Sequence, residues 1–396
     1  MRGWRGWAVL LVAFLIVALG VGPTWAQQKQ PIKVGVVQPL SGPIAAAGSY
    51  IVNGAKIAAE RINAKGGVLG RPIELVIEDN KSDPAETRNA VEKLIVRDKV
   101  PVLMGAWGSS MTLAAMPVLQ QHGVPMVVET SSSIKITDPK TPGAAWVNRI
   151  SPTSELEALG VASIMPKLGM KRAGYIAVNT DWGRGAVIAF GDALKKAGGS
   201  VEAVEYVGQT DTDFYAQLTK FKSANLDSVI ITDDAPKLAK MLQQMRDLGY
   251  RPKVLSTGGS SFPDALVQLA GAEAANDSYH IVFWNPYDHK VAGDSEASRY
   301  FVDEWKKRNL PWIGVLEGMR GFDAIHVIAK GLEMAGEPDP KKIHQAIRKL
   351  DMKALYGHIK FDKNGQSYPN IIVAQIKDGK MVTAAVTPGD ELRPKE

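Results

Sequence analysis

The sequence of 396 residues contains no cysteine. This absence excludes disulfide bonds, catalysis by a thiol and metal sites built on thiolates. No two of the six histidines lie four residues apart, so the pattern of a helical metal site is missing and we expect no metal ion. A Gly-x-Ser-x-Gly elbow is absent too, and no nucleophile with a matching base is evident. We therefore predict no catalytic residues and no cofactor.

A strong charge of one sign is missing as well. The formal net charge is +6 at pH 7, and Lys and Arg alternate with Asp and Glu along most predicted helices. No basic stripe of the kind that binds nucleic acid is present, so we expect no nucleic-acid partner. After residue 26 no apolar run is long enough to span a membrane, which favours a soluble mature protein held together by packing alone.

The first 26 residues have the pattern of a secretory signal peptide. Arg2 and Arg5 give a basic start, residues 8–22 are apolar and uncharged, and Thr24-Trp25-Ala26 has the form of a cleavage site. The alternative, an uncleaved membrane anchor, needs about 18 to 20 apolar residues, whereas this run is shorter and ends at Pro23. No cysteine follows the run, so a lipid anchor is excluded. We predict export and cleavage after Ala26.

From Ile32 onward, strand patterns alternate with helical patterns. Alternation of this kind predicts parallel sheets, and it occurs in two series that meet near Ile150. We therefore predict an α/β fold with two Rossmann-like lobes, for which the length of the chain is sufficient. The end of the chain differs, because residues 371–377 and 381–387 are predicted to form a hairpin around Asp378-Gly379.

Two predicted strands run directly into turns that are rich in hydroxyl groups. One begins at Val102 and leads into Gly108-Ser109-Ser110, and the other begins at Val124 and leads into Thr130-Ser131-Ser132-Ser133. In a parallel sheet such turns lie side by side at the carboxyl ends of the strands, where open α/β sheets bind ligands. We predict a cradle there for a carboxylate or a similar polar group. Ser109 and Ser132 would alternatively, or in addition, cap the helices that follow.

Several short motifs follow one another in a fixed order along the chain. They are Lys33-Val34-Gly35-Val36 with Leu40-Ser41-Gly42-Pro43, Asn53-Gly54-Ala55, Ile62-Asn63-Ala64-Lys65-Gly66-Gly67, Gly108-Ser109-Ser110, Asp181-Trp182-Gly183-Arg184-Gly185, Asp213-Phe214 with Leu218, and Gly321-Phe322-Asp323-Ala324. In this order and spacing, the chain resembles the periplasmic solute-binding proteins of branched-chain amino acid ABC transporters, which have the type I periplasmic binding protein fold. The resemblance extends from Ile32 to about Val386.

This resemblance implies two lobes joined by three crossovers, here near Ile150, Val282 and Gly357. The chain would then divide into residues 32–150 with 283–356 for one lobe and residues 151–282 with 357–392 for the other. The family's mechanism is hinge closure on a ligand in the cleft, followed by docking on the membrane permease of the transporter. The protein would be a periplasmic monomer and not an enzyme.

The resemblance also assigns roles to individual residues. Ser109 and Ser132 match the hydroxyl groups that clamp a ligand carboxylate, and Ser131 matches a position that offers its backbone carbonyl. Trp182 matches an aromatic residue that closes on the ligand from the other lobe. The acidic residue that pairs with the ligand ammonium aligns with Gly259, which has no side chain. An amino acid would need another acid in the cleft, so amides, ureas and aromatic or aliphatic acids are further ligand classes.

Four more residues complete the predicted ligand site. They are Trp107, Ser110, Asp233 and Glu317. Trp107 would be either a wall of the pocket or an interior packing residue. Asp233 would either meet a ligand ammonium or, with Asp234, cap the helix that follows. Glu317 would either supply the missing negative charge or form an ion pair with Arg320.

The residues and the resemblance together favour the substrate-binding component of an ABC importer that captures a small carboxylated solute. The alternative is the ligand-sensing subunit of a signalling system with the same fold, which would dock on a receptor instead of a permease. A third hypothesis, an exported enzyme on a two-lobed scaffold, lacks a nucleophile and base. Turnover of a bound ligand would distinguish the enzyme from the two binding proteins.

Overall fold

The computed structural model describes residues 30–162, 164–258 and 262–394. The predicted signal peptide lies outside the described residues. Two β-sheets with helices packed against them form the centre of the molecule, which confirms the predicted α/β class. Across the part of the chain that the structure describes, every helix is too short or too polar to cross a membrane.

The elements alternate along the chain as the sequence pattern predicts. The strands are β1 (Ile32–Gln38), β2 (Ile73–Asp79), β3 (Leu103–Gly105), β4 (Met126–Val128), β5 (Val147–Arg149), β6 (Arg172–Val178), β7 (Ser200–Val207), β8 (Ser228–Thr232), β9 (Lys253–Ser256), β10 (Tyr279–Val282), β11 (Asp351–Ala354), β12 (Gly357–Lys360), β13 (Ile371–Lys377) and β14 (Lys380–Thr387). The helices are α1 (Ala45–Ala64), α2 (Pro84–Val96), α3 (Ser109–His122), α4 (Ser154–Val161), α5 (Met165–Leu168), α6 (Asp181–Lys196), α7 (Tyr215–Ser223), α8 (Ala235–Asp247), α9 (Pro263–Ala270), α10 (Ala272–Ala275), α11 (Ser295–Lys307), α12 (Val315–Ala335), α13 (Pro340–Ile347) and α14 (Gly389–Leu392).

The first sheet has five parallel strands in the order β2-β1-β3-β4-β5. Helix α1 packs closely on α12 beside this sheet. A Cβ atom at Gly54 would lie 1.7 Å from the carbonyl oxygen of Gly318, and one at Gly321 would lie 2.1 Å from the carbonyl oxygen of Ile51. Only glycine permits this close approach of two helix backbones. The packing therefore explains two of the short motifs, those around Gly54 and Gly321.

The second sheet has seven strands in the order β14-β13-β10-β9-β8-β6-β7. The strands from β7 to β10 are parallel to their neighbours, whereas β13 is antiparallel to both β10 and β14. Asp378 and Gly379 join β13 to β14 with φ values of 50° and 69°. Two positive φ values in a two-residue loop are typical of a type I′ turn, so the predicted hairpin is confirmed.

Three segments connect the two sheets, namely residues 150–153, 283–294 and 361–370. The first and third of these segments run side by side next to β5. Arg149 N donates to the carbonyl of Gly365 at 2.7 Å, and Ser367 N donates to the carbonyl of Arg149 at 2.9 Å. Gln366 Nε2 also donates to the carbonyl of Ser151 at 2.8 Å, so the first and third segments are hydrogen-bonded to each other.

Proline occupies an interior position in one helix and the first turn of another. Pro117 lies inside α3, which begins at Ser109 and continues to His122. Pro166 lies in the first turn of α5, a position that proline tolerates well because its missing N–H has no partner there.

Candidate functional site

Three connected spaces lie between the two sheets, and Trp107 lines all of them. The serine compartment is lined by Ser109, Ser131, Ser132, Trp182 and Gly258. The aspartate compartment adds Ser110, Asp233 and Lys237. The apolar compartment is lined mainly by Ile44, Ala47, Tyr50, Leu269 and Ile313, with Glu317 at its edge. The eight predicted site residues that the structure describes thus share one cleft, and Gly259 lies outside the described residues.

Ser109 reaches the serine compartment because the chain turns sharply before α3. Gly108 adopts φ 95°, a conformation that favours glycine, and it offers no side chain to cap the helix. Ser109 is the first residue of α3, and its Oγ accepts a hydrogen bond from Ser133 N at 3.1 Å. Neither Ser109 nor Ser132 is the N-cap of the helix that follows it, since Gly108 precedes α3 and Ser133 precedes the short 3₁₀ turn Ile134–Ile136. The alternative role of these serines as caps is therefore wrong.

Arg149 stabilises the turn that carries Ser131 and Ser132. This fully buried side chain donates to the carbonyl oxygens of Ser133 at 2.6 Å and Ser131 at 3.2 Å. The Oγ of Ser131 donates to the carbonyl of Ala106 at 2.9 Å. The hydroxyl and the backbone carbonyl of Ser131 are therefore both hydrogen-bonded within the protein. Ser132 Oγ has a hydrogen bond of 3.3 Å with the hydroxyl of Ser154, the first residue of α4.

Two indole rings separate the compartments of the cleft. Trp107 and Trp182 meet edge to face, with 6.2 Å between ring centroids and an interplanar angle of 81°. Trp182 lies in the first turn of α6, whose N-cap is Thr180. Both rings are largely buried, and the indole nitrogen of Trp107 has no hydrogen-bond partner. Trp107 lines the cleft and also packs against the interior of the protein. It therefore has both of the roles that were considered for it.

Asp233 and Asp234 occupy different environments at the end of β8. Asp234 is the N-cap of α8 and accepts a hydrogen bond from Lys237 N, as the capping alternative predicts. Asp233 is 2% exposed; one of its oxygens lies 2.6 Å from Lys237 Nζ, and the other has no hydrogen-bond partner. Burial raises the pKa of Asp233 to about 7, although the nearby Lys237 ammonium opposes this change.

Glu317 and Arg320 form the ion pair that was one of the two expectations for Glu317. Arg320 Nε lies 3.1 Å from a carboxylate oxygen of Glu317, and both side chains are buried. The same guanidinium donates to Tyr356 Oη at 3.3 Å and to the carbonyl of Gly258 at 3.4 Å. Arg320 therefore links the first lobe to the segment of the second lobe that lines the serine compartment.

Two buried glutamates beside the cleft were not identified from the sequence. Glu129 follows β4 directly; one oxygen accepts from Gln38 Nε2 at 2.6 Å, and the other has no partner. Glu157 lies on α4; its Oε2 accepts from Gly258 N at 2.7 Å, and its Oε1 has no partner. Burial raises the pKa of Glu129 to about 7 and that of Glu157 to about 8. The position of Glu129 at a strand end was a usable signal, whereas Glu157 resembles any polar residue of a helix.

The mouth of the cleft is bridged by a polar contact between α3 and α6. Ser110 Oγ donates to Asp181 Oδ2 at 3.0 Å, and Lys135 Nζ lies 3.0 Å from Asp181 Oδ1. Ser110 and Lys135 belong to the first lobe, and Asp181 belongs to the second. Within the described ranges, no group of three or more acidic or histidine side chains is arranged to hold a metal ion.

Two α/β lobes around a cleft of hydroxyl, carboxyl and indole groups define a two-lobed solute-binding protein. The family described as "Periplasmic binding protein" matches residues 31–380, and the chain belongs to this family. It is therefore a solute-binding protein of the periplasm and not an enzyme, and the predicted class is confirmed.

Three similar proteins illustrate the range of the family. The Leu/Ile/Val-binding protein BraC3 of Rhizobium johnstonii is 26% identical over 94% of this chain and 98% of its own length. The leucine-binding protein LivK of Thermotoga maritima has a TM-score of 0.80 and 28% identity, covering 91% of this chain and 99% of its own. A solute-binding protein of an ABC transporter from Rhodopseudomonas palustris HaA2, in complex with p-hydroxybenzoic acid, has a TM-score of 0.78 and 25% identity, covering 91% and 97%. These similarities place the chain among the solute-binding components of ABC transporters.

Proposed function

We propose that the cleft captures a small carboxylated solute, an amino acid or a related acid, with its carboxylate in the serine compartment. The start of α3 carries this proposal. The first N–H groups of a helix have no partner within the helix, and no side chain caps α3. Such a terminus attracts an anion, and here it opens beside the hydroxyl groups of Ser109 and Ser132.

The named ligands of the relatives support a carboxylate. Leucine, isoleucine, valine and p-hydroxybenzoic acid differ in shape and in the presence of an amine, but each has a carboxylate group. A shared chemical group points to a shared element of the cleft. The serine turns at the carboxyl ends of β3 and β4 are the suitable element, because ligands of open α/β sheets bind at such ends.

The apolar part of the solute would lie between Trp107 and Trp182. Indole rings bury a large apolar area and lose little conformational freedom on contact, which favours tight enclosure. Because the two rings come from different lobes, closure would bring them onto the solute together. The apolar compartment beyond Trp107, next to Ile44 and Ile313, offers room for a longer side chain.

The transport cycle follows from the family. The closed protein would dock on the permease of an ABC transporter, and it would act as a periplasmic monomer that binds no nucleic acid. Its leader would be removed after Ala26. Expression with the native leader, followed by mass determination of the periplasmic product, tests the cleavage; a mass that retains residues 1–26 would contradict it.

Binding of a carboxylate is tested by thermal-shift screening and calorimetry of the purified protein with amino acids, organic acids, amides and polyols. Carboxylates should raise the melting temperature by mass action. Ser109→Ala and Ser132→Ala should each weaken binding about 10- to 100-fold, the usual range for a hydrogen bond to a charged group. Ser223→Ala, at the exposed end of α7, is the matched control and should bind as the wild type does. Shifts by neutral amides or polyols, with none by carboxylates, would refute the proposal.

A further inference from the structure

Trp107 lines all three compartments, and the peptide unit that precedes it is hydrogen-bonded at both ends to side chains of the first lobe. At one end, the carbonyl oxygen of Ala106 accepts from Ser131 Oγ at 2.9 Å. At the other end, the N–H of Trp107 donates to Gln38 Oε1 at 3.3 Å. Because a peptide unit is planar, these two bonds together restrict the direction in which the indole leaves the backbone.

Gln38 connects the ends of three neighbouring strands in the first sheet. It is the last residue of β1 and is fully buried. Its Nε2 donates at 2.6 Å to Oε1 of Glu129, which follows β4 directly, and its Oε1 accepts from Trp107, two residues after β3. The strand order β1-β3-β4 places these ends side by side. Gln38 therefore joins the turn of Trp107 to the turn that carries the serines.

Glu129 determines the orientation of the Gln38 amide. An amide has a donating nitrogen on one side and an accepting oxygen on the other, so only one orientation suits both neighbours. With the nitrogen at the Glu129 carboxyl, the oxygen faces the N–H of Trp107. Glu129 is itself fully buried, and its backbone carbonyl accepts from Tyr356 Oη at 2.6 Å. The carboxyl that orients Gln38 is therefore anchored by a distant part of the first lobe.

We propose that Gln38 and Glu129 are positioning residues for solute capture, which set the Trp107 indole against Trp182 and thereby shape the cleft. This inference rests on the proposed function, in which the two indoles enclose the solute. Neither Gln38 nor Glu129 lines any of the three compartments, so the pair would act on the solute through Trp107. Loss of the pair should move this indole while both sheets stay intact.

Circular dichroism of the solute-free protein tests the position of the indole. The rings of Trp107 and Trp182, with centroids 6.2 Å apart, couple electronically, and the difference spectrum between the wild type and Trp107→Phe isolates their signal. We expect Gln38→Met to lose most of this signal. Glu129→Gln should keep it, because the amide oxygen still accepts from Gln38 Nε2. A full signal in Gln38→Met would overturn the proposal.

Gln244→Met is the matched control. Gln244 is a buried residue of α8 whose Oε1 accepts from Phe214 N at 2.8 Å and whose Nε2 donates to the carbonyl of Thr212 at 3.1 Å. This variant should keep the indole signal, and its loss in both variants would overturn the proposal by indicating a general loosening of the core. If Gln38→Met does not fold, Gln38→Met with Glu129→Leu takes its place, because both polar partners are then replaced by apolar groups.

Calorimetry connects the indole to capture, with the twenty common L-amino acids, benzoate and 4-methylpentanoate as probes. Each probe that binds the wild type should bind Gln38→Met about threefold to tenfold more weakly, the scale of one neutral hydrogen bond, and Gln244→Met equally well. If Ser109→Ala weakens these probes while Gln38→Met does not, the proposed function stands and this inference fails. If no probe binds the wild type, the proposed function fails, and the spectra alone decide whether the pair positions the indole.

Discussion

At the scale of single residues, the serine turns could be located from the sequence, but the charges that surround them could not. Ser109 and Ser132 follow apolar strands, so their position at a sheet edge follows from topology. Glu157 and Arg320 lie within helices, and nothing in the local pattern shows that they are buried. Their positions depend on how α4 and α12 meet Gly258, and that meeting is a property of tertiary packing.

Gly258 provides a test at this scale. It adopts φ 86°, and a Cβ atom there would lie 2.2 Å from the ring of Trp182. Gly258→Ala should therefore strain the backbone and displace the indole, and we expect solute affinity to fall at least about tenfold. Calorimetry with the tightest carboxylate of the screen measures this loss.

Gly185→Ala is the matched control for this substitution. Gly185 lies on α6, its φ is not in the left-handed region, and a Cβ there would meet nothing within 4 Å. Alanine should leave affinity unchanged and stabilise the helix by up to about 1 kcal/mol. Equal affinities for the two variants would show that the contact between Gly258 and Trp182 is unimportant for binding.

At the scale of elements, the alternation of strands and helices predicted the two sheets because it reflects local periodicity. Helix boundaries were less predictable where packing overrides local signals. The start of α3 at Ser109 depends on the turn at Gly108, whose φ of 95° is set by the way the chain leaves β3. This boundary matters for function, because it places the uncapped end of α3 against the serine compartment.

The contact between α3 and α6 predicts how closure is stabilised. Asp181→Ala removes the carboxylate that both Ser110 and Lys135 contact across the mouth. The partly exposed pair contributes little by itself, so we expect a loss of affinity of about threefold to tenfold with little change in melting temperature. In small-angle scattering, the solute-bound variant should show a larger fraction of open molecules than the wild type.

Asp192→Ala is the control for this element, since it removes the same charge from an exposed position on the same helix. It should leave both the affinity and the scattering curve unchanged. An identical response of the two variants would mean that the Asp181 contact does not hold the lobes together and that only the overall charge of α6 matters.

At the scale of the whole molecule, buried carboxyls should make the free protein less stable as the pH rises. Burial raises the pKa of Glu129, Asp233 and Asp323 to about 7 and that of Glu157 to about 8. The folded state then holds more protons than the unfolded state at neutral pH, so its stability is lost as the pH rises through these values. His280, His326 and His344 have lowered pKa values, and their contribution is of opposite sign, but it ends near pH 6.5.

Between pH 6.5 and 8.5, the change of protein stability with pH should therefore come mainly from these buried carboxyl groups. We expect the melting temperature of the solute-free protein to fall by a few degrees across this range, on the order of 2–4 °C for each 1 kcal/mol. Glu157→Gln should flatten the upper part of this slope, above about pH 7.5, because Glu157 has the highest pKa of the four. A melting temperature that rises across this range, or an unchanged slope in the variant, would contradict the assigned protonation.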